Sequence, residues 1–549
     1  MIPVLWLSLN PETPPRGYWD MGIIEDIFSN ELWATGYDFK HYENALPKEC
    51  KGAVIVFPAR AQVDYLKDLN DLLATLDWVV LLLTGDEEAV FPKDKIKHKN
   101  IRIYVMSPRE DVDSKYRYLG TGYPPQIHKE LTSDVPPKDL DWFFAGQVTH
   151  ERRQQCAEQL RLMSKGVLIE TPGFTQGLKP DLYYGHLSHT KVAPAPSGPQ
   201  TPDSFRLFEA LECAAVPIAD TRVPKNDFSD NYWTFFFGEE PPFPVLREYE
   251  QLPGYVEDTL NKYPEINNRV FSWWIKKKRE LALQISQDIY DVSNKLPEIT
   301  PDGSITVIIP TSPIKSHPDI SIIDETIKSV RHHLPTAEII LTFDGVRKEQ
   351  ESKRNDYEEF IRRMLWKCNT EYKNVLPLIF EEHAHQSGMA RKALEYVKTP
   401  LLMYVEQDTP LVTDYEIDFE KLTSKVIDGT SNMIRFHFEA VIPKDHLHMI
   451  HGMEDSDVPL LRTSQWSQRP HLASVAFYKR ILSENFSHKA KSFIEDLMHG
   501  VLDQAYRLDG IHGWQQYRVH IYAPEGNFKR SYHTDGRAGA AKYDDTQVF

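Results

Sequence analysis

The chain has 549 residues, enough for about three or four domains of ordinary size. Its 41% hydrophobic and 26% charged residues are typical of a globular protein, which excludes a disordered or fibrous chain. The net charge of −17 excludes the overall basic surface of a general nucleic-acid-binding protein. The four cysteines are far apart and form no CxxC pair, which indicates free thiols in a reducing compartment rather than a zinc site or a disulfide framework.

The amino-terminal sequence MIPVLWLSLNP contains an apolar run that is too short to cross a membrane, and it lacks the basic residues of a secretion signal. We interpret it as a first β-strand. Because no other stretch has the length of a transmembrane helix, the sequence predicts a cytoplasmic protein without a transmembrane segment.

Short apolar runs alternate with helical stretches through the first half of the chain. This alternation is typical of α/β folds with parallel sheets, and we divide it into two Rossmann-like units, residues 1–135 and residues 136–298. The second unit begins with DLDWFFAG at residues 139–146 and closes with a long amphipathic helix over residues 272–295. A basic run at residues 276–279 lies on that helix, and we interpret it as a solvated face.

A connector, LPEITPDG, separates this region from a new strand, SITVIIPTSP, that begins at residue 304. A helix and a second strand, EIILTFDG, follow it and form a βαβ unit. The sequence therefore predicts a separate α/β domain over residues 303–549.

The most informative stretch of the first half is TPDSFRLFEALECAAVPIAD, residues 201–220. Asp203 or Ser204 is suited to cap a helix, and the free N–H groups and dipole at a helix start suit a pyrophosphate. Arg206 would neutralise phosphate charge, and Glu209 would accept hydrogen bonds from ribose hydroxyls. The alternative is a simple capped helix, packed on a strand, with solvated charges.

This stretch, with DWFFAGQVTHERRQQ at residues 141–155, resembles the nucleotide-binding half of the exostosin family of glycosyltransferases. The matching residues are Lys191, Pro196, Ser204, Arg206, Leu207, Phe208, Glu209, Ala210 and Leu211. The resemblance implies a GT-B fold, in which two Rossmann-like halves hold a nucleotide-sugar donor in the cleft between them. It also implies donor binding by Lys191, Ser204, Arg206 and Glu209.

In the second half, two apolar strands end in polar residues. The first ends in Pro310 and Thr311, and the second ends in Asp344 before a glycine. Ligands of Rossmann-like sheets bind at the carboxyl ends of strands, so Asp344 is a candidate acceptor for a base N–H and Thr311 a candidate contact to base or ribose. An ordinary strand-to-turn Asp-Gly is the alternative for Asp344.

A third apolar strand, at residues 401–405, ends in Glu406, Gln407 and Asp408. Carboxylates at a strand end beside a nucleotide cleft are suited to hold Mg²⁺ or Mn²⁺ between two phosphates. The metal would neutralise charge that grows on the leaving diphosphate.

The order of these segments resembles the GT-A fold of family-two-type glycosyltransferases. Asp408 falls on the last position of their Asp-x-Asp metal motif, and Glu406 replaces its first position. Arg391 falls on a helix that contacts the donor in that family. The C-terminal string APEGNFKRSYHTDGR offers His533 as a third metal ligand, with a simple turn as the alternative.

The segment SFIEDLMHG, residues 492–500, resembles the acidic helix beside the acceptor in the same enzymes. One of its acids would be the general base that deprotonates the acceptor hydroxyl, with Asp496 as first choice and Glu495 as second. An exposed helix start is the alternative. In QWSQRPHLASVAFYKR, Arg469 is expected to contact donor or acceptor, and Trp466 either stacks on a sugar or packs in the core.

The predicted fold class is α/β, with a GT-B-like pair of Rossmann-like units followed by a GT-A-like domain. The predicted function is sugar transfer from a nucleotide sugar, UDP-linked, to a carbohydrate or other hydroxyl acceptor with Mn²⁺ or Mg²⁺, in a bifunctional enzyme of polysaccharide or glycan synthesis. One alternative is a phage-type enzyme that glycosylates hydroxymethylated DNA bases, against which the acidity counts. Another is a non-catalytic carbohydrate-binding protein built from degenerate transferase domains.

Overall fold

The computed structural model describes residues 1–16, 20–28, 37–108, 116–173, 176–224, 231–296, 302–487 and 491–534. The chain divides into two compact units. The first unit comprises Met1–Glu298 and Leu365–Lys373, and the second comprises Ile299–Met364 and Asn374–Phe549. Most of the predicted connector at residues 296–303 lies outside the described residues.

The first unit begins with a six-stranded parallel sheet in the order β2-β1-β3-β4-β5-β6. Its strands are β1 (Ile2–Trp6), β2 (Phe39–Glu43), β3 (Gly52–Pro58), β4 (Trp78–Thr84), β5 (Ile101–Val105) and β6 (Tyr116–Tyr118), and its helices are α1 (Met21–Asp26), α2 (Leu66–Leu73) and α3 (Ile127–Glu130). Strands β3 and β4 are buried along their whole length, as expected of continuous apolar runs in a parallel sheet covered on both faces.

A second parallel sheet of the first unit has the order β11-β10-β9-β7-β8. Its strands are β7 (Leu140–Gly146), β8 (Gly166–Glu170), β9 (Thr190–Ala195), β10 (Val216–Asp220) and β11 (Val245–Leu246). The accompanying helices are α4 (Glu151–Leu162), α5 (Pro180–Ser188), α6 (Phe205–Glu212), α7 (Tyr232–Phe237), α8 (Leu252–Asn261) and α9 (Glu265–Ser293). Both sheets are Rossmann-like, which confirms the predicted α/β class.

The basic run on α9 departs from the prediction of a solvated face. Lys278 is only 3% exposed, and its ammonium lies 2.8 Å from the carboxylate of Asp26 and 3.0 Å from that of Glu212. The indole of Trp274 donates a further hydrogen bond to Glu212. A charge is tolerated in a protein interior when it is paired and hydrogen-bonded, which explains how this lysine is accommodated.

The second unit contains a nine-stranded mixed sheet in the order β14-β13-β12-β15-β19-β16-β20-β18-β17. Its strands are β12 (Ile305–Thr311), β13 (Glu338–Phe343), β14 (Val375–Ile379), β15 (Leu401–Tyr404), β16 (Met433–Arg435), β17 (Ile450–Met453), β18 (Leu460–Thr463), β19 (His471–Ser474) and β20 (Val519–Tyr522). Its helices are α10 (Ser321–His333), α11 (Arg354–Thr370, whose last residues belong to the first unit), α12 (His385–Tyr396), α13 (Phe419–Ile427), α14 (Val475–Asn485) and α15 (Ile494–Gln515).

Strands β14, β13, β12 and β15 are mutually parallel, whereas β19 runs antiparallel between β15 and β16. Strand β12 is buried from end to end, and its Ile308 packs with Leu402 of β15 and Tyr478 of α14 in the main core. None of the helices within the described ranges combines the length and the apolar character needed to cross a membrane.

Candidate functional site

The site of the second unit lies at one edge of its sheet, where three segments converge. Strands β15 and β16 both pair antiparallel with β19, so they run in the same direction and end at the same edge. The register aligns Tyr404 and Arg435 on either side of His471. The residues that follow β15 and β16 therefore lie beside those that precede β19.

The C-terminal segment crosses this edge and connects the ends of β16 and β15. The amides of Arg530 and Ser531 donate to the carbonyl of His437, at 2.6 and 3.0 Å. The amide of Thr534 donates to the carbonyl of Asp408 at 3.1 Å. His533, which is 9% exposed, is therefore held beside Asp408 by backbone pairing.

A buried glutamine connects the end of β15 to the start of α15. The amide nitrogen of Gln386 donates to Oε1 of Glu406 at 2.6 Å, and its oxygen accepts from the backbone N–H of Ile494 at 2.6 Å. The next residue of α15, Glu495, accepts a hydrogen bond from the backbone N–H of Gln468 at 2.9 Å. These contacts hold the acidic residues after β15 near the acidic first turn of α15.

Negative charge is concentrated in this cluster. The pKa of Glu406 is raised to about 8. Burial is the main cause, and the charges of Asp408 and Glu495 act in the same direction, whereas the hydrogen bond from Gln386 lowers the pKa. Each of these carboxylates thus lies close enough to Glu406 to act on it. A site that raises a carboxylate pKa in this way favours a bound cation.

The acidic cluster fits a divalent ion that is shared with a ligand. Within the described ranges, no three or more His, Cys, Asp or Glu side chains are arranged to hold a metal by themselves. Mg²⁺ at nucleotide sites commonly takes one or two protein carboxylates and completes its shell with phosphate oxygens and water. Glu406 and Asp408 meet that requirement, and His533 lies next to them without forming a ready three-residue site.

The acidic start of α15 presents its two acids differently. Glu495 is half-buried and acts electrostatically on Glu406 and on Arg435. Asp496 is exposed. Successive helical side chains point about 100° apart, so only one of two neighbouring acids can face the cluster. The structure brings Glu495, the second choice from sequence, to the site and turns Asp496 towards solvent.

The polar residues at the ends of β12 and β13 are buried, and their side chains form hydrogen bonds with backbone groups. Thr311 donates to the carbonyl of Thr342 at 2.9 Å, and Pro310 is buried within the same strand. The carboxylate of Asp344 accepts from the amides of Ala384 at 2.6 Å and His385 at 3.1 Å. Asp344 thus fixes the turn before α12. Its carboxylate oxygens accept hydrogen bonds from backbone amides instead of from the nucleotide base that we expected.

Arg391 does not have the surroundings that the prediction of a donor contact requires. Its guanidinium donates to the carbonyls of Leu482, Phe486 and Ser487, at 3.2 to 3.3 Å, where α14 ends. Positive charge at a helix C-terminus is favourable because the last carbonyls have no partner within the helix. Arg391 is therefore a helix-capping residue in this structure, which corrects the prediction.

The loop before β19 contains the half-buried Arg469 and the buried Trp466. The guanidinium carbon of Arg469 lies 3.8 Å from the ring centre of Phe438, on the side of the cluster formed by the end of β16. Trp466 is fully buried in the main core, and its indole donates to the side chain of Gln468. Core packing, rather than sugar stacking, is therefore the role of Trp466.

The first unit has a site of opposite charge, at the carboxyl ends of β7 and β9. The chain leaves β7 for β8 on one side and returns to β9 on the other, which makes this position the switch point of the sheet. The guanidinium of Arg206 packs against Gly146 at the end of β7, where an added Cβ would lie 1.8 Å from Nη2. Only glycine leaves room for the arginine there.

Several further donors converge on this switch point. Arg153 lies in the first turn of α4, and burial together with the charge of Arg206 lowers its pKa to about 9, against the opposing charge of Glu87. Among the described residues, Nε of Arg206 and Oγ of the fully buried Ser197 have no hydrogen-bond partner. Two guanidinium groups, an unsatisfied hydroxyl and the starts of α4 and α6 together form a cationic cluster whose chemistry suits an anion.

Of the residues predicted to bind donor in the first unit, two have other roles. Ser204 is the N-cap of α6, but its hydroxyl donates to the carbonyl of Pro196 instead of capping the helix. The buried carboxylate of Glu209 accepts from the hydroxyls of Tyr183 and Tyr184, at 2.8 and 2.9 Å, and is not open to a ribose.

Lys191 lies at the wrong end of its strand for the predicted role. It is the second residue of β9, and its ammonium pairs with Asp141, near the start of β7, at 2.7 Å. Since ligands bind at the carboxyl ends of the strands, Lys191 is at the opposite edge of the sheet from Arg206. This corrects the prediction that the two act together.

The sequence interpretation missed Glu87, which follows β4 in the first sheet. The pKa of Glu87 is raised to about 7. Burial is the largest cause, the charges of Asp203 and Asp20 add to it, and the charges of Arg153 and Arg60 oppose it. The interaction with Arg153 places this carboxylate at the cationic switch point of the second sheet. The acidic string GDEE directly after a fully apolar strand was the available signal.

Comparison with known proteins gives no family and no curated relative, since no family model and no curated protein matches the chain. Among solved structures, residues 1–349 of TarS from S. aureus match 42% of this chain and 60% of their own length, with 13% identity and a TM-score of 0.26. The same fragment with UDP-GlcNAc also has 13% identity and a TM-score of 0.26, covering 42% of this chain and 57% of its own. A mannosyltransferase from Pyrobaculum calidifontis, solved with GDP-Man and Mn²⁺, has 12% identity over 41% of this chain and 58% of its own, with a TM-score of 0.24.

Proposed function

We propose that the chain is a nucleotide-sugar-dependent glycosyltransferase whose second unit transfers the sugar. The observation that carries this proposal is the convergence of Glu406, Asp408 and Glu495 at one edge of the sheet. In that sheet the chain leaves β12 for β13 on one side and later returns to β15 on the other. The carboxyl ends of β12 and β15 therefore form a switch-point crevice, the position at which such sheets bind nucleotides.

In this proposal Glu406 and Asp408 would hold Mn²⁺ or Mg²⁺ together with phosphate oxygens of the ligand, and His533 lies beside them as the predicted third ligand without completing a three-residue site. The bound ion neutralises charge that develops on the leaving nucleoside diphosphate. Gln386 keeps Glu406 in place through its hydrogen bond and ties it to the backbone of Ile494. Buried Thr311 and Asp344 shape the crevice through the backbone that they hold.

Glu495 is the proposed general base. It takes the proton of an acceptor hydroxyl as the oxygen forms a bond to the anomeric carbon and the bond from that carbon to the diphosphate breaks. The backbone N–H of Gln468 fixes one carboxylate oxygen of Glu495. Asp496 is the alternative base. Substituting Glu495 and Asp496 separately distinguishes the two candidates.

The first unit is proposed as a second nucleotide-sugar site, which makes the chain bifunctional in polysaccharide or glycan synthesis. Arg153 and Arg206 would bind the diphosphate directly, without metal, at the start of α6. Glu87, with a pKa of about 7 and facing Arg153, would be the base for the acceptor at this site. Of these residues, Arg206 is the one that the resemblance to exostosin-type enzymes also implies as a donor contact.

The test is release of nucleoside diphosphate from a panel of UDP- and GDP-sugars by the full-length chain with Mn²⁺. Asp408→Asn and Glu406→Gln should abolish the release that depends on Mn²⁺. Glu395→Gln is the matched control, because Glu395 is an exposed acid of α12 paired only with Lys392 in the described contacts. No turnover with any donor would favour a carbohydrate-binding protein, and salt-sensitive binding of DNA would favour the DNA-modifying alternative.

A further inference from the structure

A basic group at the end of β16 is not used by the proposed donor site. Arg435 is 2% exposed, and its Nη1 donates to the carbonyl of Gln465 at 2.7 Å. Its Nε has no hydrogen-bond partner among the described residues. A buried guanidinium with an unsatisfied N–H is costly, which favours an acceptor group from a ligand at this position.

A second guanidinium, that of Arg469, lies near Arg435. The pKa of Arg435 is lowered to about 10, chiefly by burial; the charge of Glu495 opposes this effect and the charge of Arg469 adds to it. The ring of Phe438 lies 3.8 Å from the guanidinium carbon of Arg469 and holds that group in a fixed plane. The carboxylate of Glu439 interacts with the positive charges of both Arg469 and Lys529. Two guanidinium groups that are close enough to act on each other form a basic cluster that suits a phosphate or a carboxylate.

The position of Arg435 in the sheet separates this site from the donor diphosphate. The donor crevice lies at the ends of β12 and β15, whereas β16 is separated from β15 by β19. Two strand spacings amount to about 10 Å. Glu495 interacts with both Glu406 and Arg435, so the proposed base lies between the metal ligands and the basic group.

We propose that the acceptor of the second unit carries an anionic group, a phosphate or a carboxylate, next to its reacting hydroxyl, and that Arg435 and Arg469 bind that group. This inference rests on the proposed function for the role of Glu495. With the anion bound to the two arginines, the neighbouring hydroxyl lies at Glu495 and faces the donor. A neutral acceptor of the same size would leave the Nε of Arg435 unsatisfied and would bind more weakly.

The experiment measures binding of small probes to the full-length chain by calorimetry, with chelator present so that no metal supports phosphate binding at Asp408. Glycerol 3-phosphate represents a phosphate-bearing acceptor and glucuronate a carboxylate-bearing one, with glycerol and glucose as their neutral counterparts. All measurements use the Arg153→Gln, Arg206→Gln background, which removes both guanidinium groups from the cationic cluster of the first unit. The probe that binds identifies which anion the acceptor carries.

The expected result is that at least one anionic probe binds about 10-fold or more tightly than its neutral counterpart, and that Arg435→Gln and Arg469→Gln each remove this preference. Arg507→Gln, on the exposed face of α15, is the control and should leave it unchanged. Thermal unfolding checks each variant, and Arg469→Gln carries the test if buried Arg435 proves necessary for folding.

Equal binding of anionic and neutral probes, or a preference that survives both substitutions, would overturn the inference. The probes are measured without nucleotide or metal, so this outcome is independent of donor hydrolysis. Retained hydrolysis with no anion preference would overturn only the anionic acceptor. An anion preference with no hydrolysis of any donor would overturn the transferase assignment of the second unit.

Discussion

The two units carry sites of opposite charge at equivalent positions of their sheets. At the switch point of the first unit, Arg153 and Arg206 repel each other, and burial with this repulsion lowers the pKa of Arg153. At the edge of the second unit, Asp408 and Glu495 raise the pKa of Glu406. Arginines can bind a diphosphate directly, whereas carboxylates need a metal ion between them and the phosphates, so the opposite charges imply two different modes of donor binding under the proposed function.

Removal of divalent metal should separate the two sites most strongly. With chelator present, nucleoside diphosphate release by the second unit should fall about 100-fold or more, because nothing else neutralises charge on the leaving group. Binding of a nucleotide sugar to the first unit should persist. Calorimetric titration of the Asp408→Asn variant with a nucleotide sugar, with and without chelator, measures the affinity of the first unit alone. If the chelator abolished that binding, the first unit would also depend on metal, and the comparison would be contradicted.

The two acids at the start of α15 offer the next test. Glu495→Gln should lower the rate of sugar transfer by about 100-fold or more, the usual contribution of a general base. Asp496→Asn is the matched control, since it changes the neighbouring acid on the exposed side of the helix, and should leave the rate within about 3-fold. A larger loss in Asp496→Asn than in Glu495→Gln would restore the assignment made from sequence.

Gly146→Ala tests the cationic site of the first unit. The added Cβ would lie 1.8 Å from Nη2 of Arg206, so the guanidinium must leave its position. Affinity for a nucleotide sugar, measured in the Asp408→Asn background with chelator, should fall about 10-fold or more as a charged hydrogen bond is lost. Gly185→Ala, at an open position in α5, is the control. Equal affinities of the two variants would show that Arg206 does not bind the diphosphate.

Glu87→Gln tests the carboxylate beside Arg153 through its effect on stability. The folded-state pKa of about 7 lies above the ordinary value near 4.5, so the folded unit binds the proton more tightly than the unfolded chain. Stability is therefore lost as pH rises from about 4.5 through about 7, by up to roughly 3 kcal/mol, and the glutamine variant avoids this loss.

Thermal unfolding followed between pH 5 and 8 is the measurement. The variant should unfold at about the same temperature as the native protein near pH 5 and a few degrees higher at pH 8. Glu88→Gln, which alters an exposed acid paired with Arg60, should show no such pH-dependent difference. A constant offset at all pH values would mean that the Glu87 carboxyl is not perturbed.

The positions of the candidate residues follow directly from local pattern, whereas their roles stay predictions. Glu406 and Asp408 lie at the carboxyl edge of a sheet because acids that end a buried parallel strand must lie there. Arg206 lies at the start of a helix, α6, as the capping residues before it predict. The α/β class and the strands around these residues follow from the same apolar runs.

Roles that depend on distant partners could not be predicted in this way. Asp344 and Arg391 bind backbone groups 40 or more residues away, and Glu209 binds two tyrosines of another helix. The choice between Glu495 and its neighbour depends on the rotation of α15 about its axis, which contacts with distant segments such as Gln386 and Gln468 set. Arg435 was missed because no pattern in its own strand indicates which segments lie beside it.

The central claim is that Glu406 and Asp408 hold a divalent ion beneath a nucleoside diphosphate. Electron paramagnetic resonance of Mn²⁺, titrated into the full-length chain with and without UDP, tests it most directly. We expect bound Mn²⁺ whose affinity rises when UDP is present, and loss of that UDP-dependent binding in Asp408→Asn but not in Glu395→Gln. Mn²⁺ binding that is equal in native and Asp408→Asn protein, or indifferent to UDP, would contradict the account.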